Sequence, residues 1–415
     1  MASRHTFRAF PAKLIPVIGL VVLAIAFTGC PQKQPGNQPA QKQVPELKIG
    51  AVMPRSGQIA AFGDETKQGI DMAVEQASSR LAGKLNISVT YEDSKGLPEE
   101  TVRGFRKLVD IDKVQVVIGE VISPNTAAIV DIAQDGHIPL VLTSATNKDL
   151  TVNRNYVLRV CFIDPQQGTA MADFAFNELG IRKAAILFDK GSDYSAGLTE
   201  AFRTAFKALG GTIVGENNLR PEDQDFRAQL IQARDWTPDA LFLPVNYPQA
   251  AQALLQAKEV GLNCKFLGGD GWASPELFQI GHEAVTGAYI TAHFAADNAS
   301  GRVAQFVNDF KAKYGTEPSS FAALGFDAAD IVIQAASNLP SITSEALRTA
   351  LFNIKDYPGA TGTITIGADG NPVKDIVVLE TTANGFKFVK SIVPTTAVPT
   401  STPPTGSAAP PKETP

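Results

Sequence analysis

Ser123, Ser144, Thr146 and Asp270 are the residues whose types and settings could hold a small charged molecule. Ser123 follows the β-branched run 114–118 and stands before Pro124, where a helix opens. A hydroxyl and free backbone N–H groups at a helix N-terminus form a site for an anion. Ser144 and Thr146 follow the next apolar run, 139–142, and Asp270 lies between Gly269 and Gly271. Each also has a plainer reading: Ser123 as a helix N-cap, Ser144 and Thr146 as polar loop residues, and Asp270 as a turn residue.

Nothing comparable points to catalysis. The sequence contains no G-x-S-x-G elbow, P-loop or H-E-x-x-H motif, and His5, His137, His282 and His293 are scattered. No nucleophile with a positioned base emerges, so the chain reads as a binder and not an enzyme. Three cysteines and four histidines exclude a disulfide scaffold and leave few ligands for a metal, so no cofactor is expected. Cys161 continues an apolar stretch and Cys264 follows a helix, which predicts two buried free thiols. A net charge of −5 gives no reason to expect nucleic acid as a partner.

The elements that must position these residues alternate. Strand character at 47–53, 86–91, 114–118 and 139–142 is interleaved with helical spacing at 63–80, 99–112 and 124–134. The pattern resumes with strands at 184–188, 212–216, 240–245, 266–268 and 288–292 and helices at 195–209, 226–234 and 250–260. Helices follow at 302–314, 319–338 and 344–352, then strands near 361–366, 375–380 and 386–389, with a turn at Asp369-Gly370-Asn371. Repeated βα units predict an α/β fold of two doubly wound parallel-sheet lobes. In open α/β sheets ligands sit beyond the carboxyl ends of the strands, which puts the site between the lobes.

The 415-residue chain has 44% hydrophobic residues, enough for large cores, yet its ends differ from its middle. Arg4, Arg8 and Lys13 precede an apolar run, 14–27, that is short for a bilayer-spanning helix and ends in Phe27-Thr28-Gly29-Cys30. Small residues before a cysteine resemble the bacterial lipobox, which predicts a signal peptide over 1–29 and lipidation of Cys30. Residues 30–46 are rich in Gln and Pro and read as a disordered tether, and 394–415 carries seven prolines and reads as a disordered tail.

Several segments together identify a family: Pro54-Arg55-Ser56-Gly57, Phe62-Gly63 with Gly69, and Val117-Ile118-Gly119 with Ser123. Thr143-Ser144-Ala145-Thr146 before Leu150-Thr151, Asp189-Lys190 with Tyr194 and Gly197, Gly268-Gly269-Asp270-Gly271-Trp272, and Gly325-Phe326-Asp327-Ala328 continue the series. In that order and spacing, from Leu47 to about Val393, the chain resembles the type I solute-binding proteins of ABC importers, of the branched-chain-amino-acid (Leu/Ile/Val) type. The resemblance implies a periplasmic binding protein fold with three crossovers: an N-terminal lobe of 47–161 and 290–355, and a C-terminal lobe of 162–289 and 356–393. It implies a monomeric lipoprotein on the outer side of a bacterial membrane, anchored at Cys30, that delivers an amino acid to an ABC permease. An amide, urea or aromatic acid as ligand, or a role as sensor for a signalling partner, are the alternatives within this fold.

An α-amino acid is a zwitterion, so taking it from water demands donors for its carboxylate and acceptors with a negative charge for its ammonium. In the family, the residue matching Ser144 gives a carbonyl to the ammonium. The one matching Thr146 gives its N–H to the carboxylate and its hydroxyl to both groups, and an acidic residue at the place of Asp270 pairs the ammonium. Tyr194 matches a ligand contact, and Val121 is expected to face the apolar part of the ligand. Phe62 stands where relatives often have Tyr. Either Asn246 or Tyr247 faces the cleft, and Trp272 either caps the ligand or is buried within its lobe. Arg55 departs from the family's apolar residue, and reads either as a solvated rim residue or as a partner for an extra ligand carboxylate.

Overall fold

The computed structural model describes residues 44–220 and 223–394. The signal segment, Cys30, most of the tether and all but the first residue of the tail lie outside them. Among the described residues no helix is long and apolar enough to cross a membrane.

The first sheet has five parallel strands in the order β2-β1-β3-β4-β5. They are β1 (Glu46–Met53), β2 (Asn86–Asp93), β3 (Val116–Ile118), β4 (Leu140–Leu142) and β5 (Val157–Arg159). Every residue of β3, β4 and β5 is buried, as expected of the apolar strands β3 and β4 covered on both faces, and β5 buries Arg159 besides. Helices α1 (Ala60–Arg80), α2 (Pro98–Arg106) and α3 (Ser123–Asp135) connect them. Helices α9 (Gly301–Tyr314), α10 (Ser320–Ser337) and α11 (Ser344–Phe352) return to the same lobe. There the hydroxyl of Ser344 on α11 donates to the Gln115 carbonyl at 2.9 Å.

Packing of α1 on α10 is unusually intimate. A side chain at Gly69 would sit 1.9 Å from the Ala322 carbonyl oxygen, and one at Gly325 would sit 2.2 Å from that of Thr66. The two glycines cost helix propensity, and they let the two backbones touch.

The second sheet has seven strands in the order β14-β13-β10-β9-β8-β6-β7. Strands β6 (Lys183–Phe188), β7 (Thr212–Asn218), β8 (Ala240–Phe242), β9 (Lys265–Gly268) and β10 (Tyr289–Ala292) run parallel. Helices α4 (Asp164–Asp173), α5 (Asp193–Ala208), α6 (Arg227–Asp235), α7 (Tyr247–Glu259) and α8 (Glu276–Gly281) belong to this lobe. A small hairpin, β11 (Tyr357–Gly359) with β12 (Gly362–Ile364), precedes β13 (Ile376–Thr382) and β14 (Gly385–Ile392). These last two strands add antiparallel at the edge next to β10.

Two placements differ from the boundaries expected of the sequence. Strand β10 stays in the second sheet through Ala292, because its partners are β9 and β13, so the chain returns to the first lobe after it. The hairpin β11–β12, expected with the C-terminal lobe, is held on α10. The buried carboxylate of Asp327 needs donors, and the Ala360 and Thr361 backbone N–H groups supply them. Helix α4 occupies a stretch for which the alternation of residues signals no helix.

Candidate ligand-binding site

From the buried end of β3 the chain passes Gly119 and Glu120 into α3. Glu120 is fully buried, and its carboxylate collects the loop around it. It accepts the Val121 N–H at 2.8 Å and the Ile122 N–H at 3.3 Å, together with the Ser94 hydroxyl. This clamp aims the first residues of α3 at the space between the lobes. Ser123 is the first residue of that helix and not its N-cap, which is Ile122. Its hydroxyl accepts the Asn147 N–H at 3.1 Å. The plainer N-cap reading of Ser123 therefore fails.

Beyond β4 the loop 143–147 lies against α3. The Ser144 hydroxyl donates to the Val121 carbonyl at 2.8 Å. Arg159, fully buried on β5, donates to the Ala145 carbonyl at 2.8 Å and the Asn147 carbonyl at 2.9 Å. The loop is thus fixed from below. The hydroxyl of Thr146 is buried against the Asp164 carboxylate and holds back the rise in its pKa.

On the second lobe Asp270 opens a single 3-10 turn, Asp270–Trp272, directly after β9. Its Oδ1 accepts from Gln167 Nε2 at 3.0 Å and from the Tyr194 hydroxyl at 3.1 Å. Its Oδ2 lies 3.1 Å from His293 Nε2. Tyr194 in turn accepts the Gly271 N–H at 3.1 Å, and Gln167 accepts the Thr291 hydroxyl at 2.8 Å. Burial holds His293 below the usual imidazole range, so it offers a hydrogen bond and no charge. Its ring stacks on Phe162 at 3.6 Å between centroids. Asp164, within reach of Gln167 Nε2 at 2.9 Å, is pushed up to about 7 by burial and then by the negative charge of Asp270. Asp270 is therefore held almost wholly by neutral donors, in a pocket that resists a second negative charge.

A cavity of about 40 Å³ lies where these elements converge. Phe62, Val121, Ser123 and Ser144 of the first lobe and Tyr194, Asn246 and Asp270 of the second all line it. Asp270 is its only acidic wall residue among the described residues. Of the expected residues, three stand apart. Thr146 lies behind the wall, with its hydroxyl against the Asp164 carboxylate. Tyr247 crosses between the lobes, its hydroxyl donating to the Gln58 carbonyl at 3.0 Å and its ring meeting Phe62 edge-on. Trp272 is fully buried in its lobe and donates its indole N–H to the Leu243 carbonyl at 3.1 Å. Of the two readings for Trp272 the buried one holds, and of Asn246 and Tyr247 it is Asn246 that lines the cavity. Arg55 lines no part of it and pairs with Asp64 at 3.3 Å on the surface.

The lobes touch at further points. Asn147 Nδ2 donates to the Asp193 carbonyl at 2.9 Å. The Ser274 hydroxyl of the second lobe lies 2.6 Å from the Glu65 carboxylate on α1 and 2.7 Å from that of Glu276. Residues that single-sequence reasoning did not single out are those behind the wall: Glu120, Arg159, Asp164, Gln167 and His293. Only the polar character of Asp164 and Gln167 within an otherwise apolar stretch could have marked them.

The cysteines are free as expected, but only Cys161 is fully buried; Cys264 is half-buried. Cys161 and Cys264 are unpaired, and burial pushes each thiol up to about 12. Among the described residues no cluster of His, Cys, Asp or Glu could hold a metal ion.

A model of the periplasmic binding protein family matches residues 46–386. The Leu/Ile/Val-binding protein BraC3 of Rhizobium johnstonii is 28% identical over 330 residues, covering 79% of this chain and 89% of that one. Among solved structures, a leucine binding protein, LivK, of Thermotoga maritima superposes with a TM-score of 0.81 at 36% identity, covering 84% of this chain and 99% of that one. The branched-chain amino acid transporter substrate binding protein LivJ of Streptococcus pneumoniae, in complex with isoleucine, gives 0.80 at 30% identity over 84% of this chain and all 100% of that one. A solute binding protein of an ABC transporter from Rhodopseudomonas palustris, in complex with 3,4-dihydroxybenzoic acid, gives 0.76 at 25% identity, covering 84% of this chain and 96% of that one.

Proposed function

Because the chain belongs to the periplasmic binding protein family, with the two α/β lobes of its type I fold, we propose that it captures an apolar α-amino acid, branched-chain ones foremost, and delivers it to an ABC permease. It is a solute-binding protein and not an enzyme. In this reading it works outside the cytoplasmic membrane as a monomer, tethered by a lipid on Cys30.

One observation carries the choice of ligand. A single carboxylate, Asp270, enters the cavity from the second lobe, opposite the hydroxyls of Ser123 and Ser144 from the first. The ligand carboxylate meets the N-terminus of α3 with Ser123, backed from behind the wall by Thr146, and the ammonium meets Asp270 and the Ser144 carbonyl. Tyr194 and Asn246 close over it, and Val121 and Phe62 give it apolar surface. A simple aromatic acid of the kind held by the Rhodopseudomonas palustris protein would set its carboxylate at the N-terminus of α3 and leave buried Asp270 with no ammonium to pair, which disfavours it. The names of the relatives support the same choice.

Calorimetric titration with leucine and with 4-methylpentanoate, its deaminated analogue, tests the reading. Leucine binds and the analogue does not. Asp270→Asn weakens leucine by at least about tenfold, the loss expected of one charged hydrogen bond. Equal binding of the two compounds, or benzoate binding more tightly than leucine, would refute it.

A further inference from the structure

A second and much larger cavity, about 540 Å³, adjoins the first. The two share Ile122, Pro124, Ser192, Tyr194 and Asn246 as common walls. The outer chamber lies between the lobes. The lobes are already in hydrogen contact near it, Tyr247 to Gln58 at 3.0 Å and Asn147 to Asp193 at 2.9 Å, and Gln58 itself lines the chamber. With those bonds made, the space remains.

Its size and chemistry exceed what an aliphatic amino acid needs. At about 30 Å³ per water the two cavities together have room for roughly 19 waters, whereas a whole leucine, head and side chain, brings nine heavy atoms. Ile59, Leu97, Leu219 and Val245 supply apolar wall. Leu97 is 44% exposed, so apolar surface there still awaits cover. Lys95 on the first lobe and Arg220 on the second add positive charge to the rim, against the one acid Asp189. Asp189 accepts the Gly191 N–H at 2.8 Å, which spends part of its capacity, and Lys95 also pairs with Glu100 outside the chamber at 3.3 Å.

We infer that the chamber is a side-chain subsite for α-amino acids whose side chains are longer than leucine's and end in an anion. The inference rests on the reading of the inner cavity as an α-amino acid pocket. That pocket requires a free ammonium and a free carboxylate on the same carbon, so an ordinary dipeptide, whose first carboxyl is consumed in the peptide bond, does not satisfy it. Added mass has to hang from the side chain. γ-Glutamyl compounds have this architecture: an intact α-amino acid head, an amide-linked stem and a terminal carboxylate.

The test compares leucine, γ-glutamyl-leucine and its isomer α-glutamyl-leucine by calorimetry on the full chain. γ-Glutamyl-leucine binds at least as tightly as leucine, and the isomer of identical composition does not bind. Leu97→Trp, which fills the chamber, and Arg220→Ala, which removes a cation, each weaken γ-glutamyl-leucine by about tenfold or more and leave leucine within about twofold. Leucine binding with no binding of γ-glutamyl-leucine overturns the inference and leaves the amino-acid reading standing. Failure of both ligands overturns both.

Discussion

Ser274 sits between two carboxylates and has one proton to give. Its hydroxyl is within hydrogen-bond distance of both Glu65 and Glu276, so one of the two acids has to donate to it. Glu65 is that acid. Burial pushes it up to about 8, with the nearby charge of Glu276 adding to the rise; the hydroxyls of Ser274 and Ser319, which would donate to the ionised carboxylate, hold the rise back. The chain of donors then runs from protonated Glu65 to Ser274 and on to Glu276, and it joins α1 to the second lobe. When the lobes part or the chain unfolds, Glu65 returns to water and to a value near 4.5. Its contribution to the joined state is fully present below about pH 4.5. It declines as pH rises and is lost through pH 8. At pH 7, keeping the acid neutral costs up to about 3 kcal/mol, from about 1.4 kcal/mol per unit between 4.5 and the working pH.

Glu65→Gln removes this cost and keeps a donor for Ser274. Melting curves of both proteins from pH 4 to 9 are expected to coincide at the acid end. They then diverge, with the variant higher by about 6 °C at pH 7, taking about 2 °C per kcal/mol for a chain of this size. Leucine affinity of the wild type falls over the same interval, and that of the variant falls less. Buried groups common to both, such as Asp164 and His293, cancel in the difference. A constant offset between the two curves across the whole range would mean that Glu65 does not titrate there, and the argument would fall.

Two further outcomes are expected. Trp272→Phe removes one of the two donors to the Leu243 carbonyl, which keeps the Val245 N–H at 3.0 Å, and destabilises the chain by about 1 kcal/mol in denaturant unfolding, with leucine affinity unchanged, because the indole stays outside the cavity. Iodoacetamide at pH 8 leaves Cys161 and Cys264 unmodified in the folded protein by peptide mass mapping and labels both after unfolding, since thiols raised to about 12 hold almost no thiolate.

The alternation of strands and helices, and the polar residues just past strand ends, could be read without coordinates because each depends on a few consecutive residues. Val116–Ile118 is buried on every residue as its composition implies, and Ser123 and Asp270 stand where β3 and β9 release the chain. What holds Asp270 could not be read. Gln167, Tyr194 and His293 approach it from sequence positions up to 103 residues away, and periodicity reports burial without naming a partner. The same limit applies to the hairpin 357–364, whose allegiance to α10 is decided by two buried acids, Asp327 and Asp330, the second taking the Tyr357 hydroxyl. Trp272 shows the opposite difficulty: an aromatic beside a site residue invites a role in binding, but a carbonyl inside its own lobe claims it.

The backbone contact of α1 with α10 has a mechanical consequence. Two helices joined through Gly69 and Gly325, with little side chain between them to absorb strain, behave as one beam. At 21 residues α1 is about 31 Å long. Its front end carries Phe62 into the cavity wall and Glu65 into the contact with Ser274, and its far end carries Arg80 to Asp330 at 3.7 Å. Each degree by which the front end turns moves the far end by roughly 0.5 Å, from the length of the helix. A turn of α1 at the cleft is thereby carried, with little side-chain slack to damp it, to the outer end of the helix at Arg80.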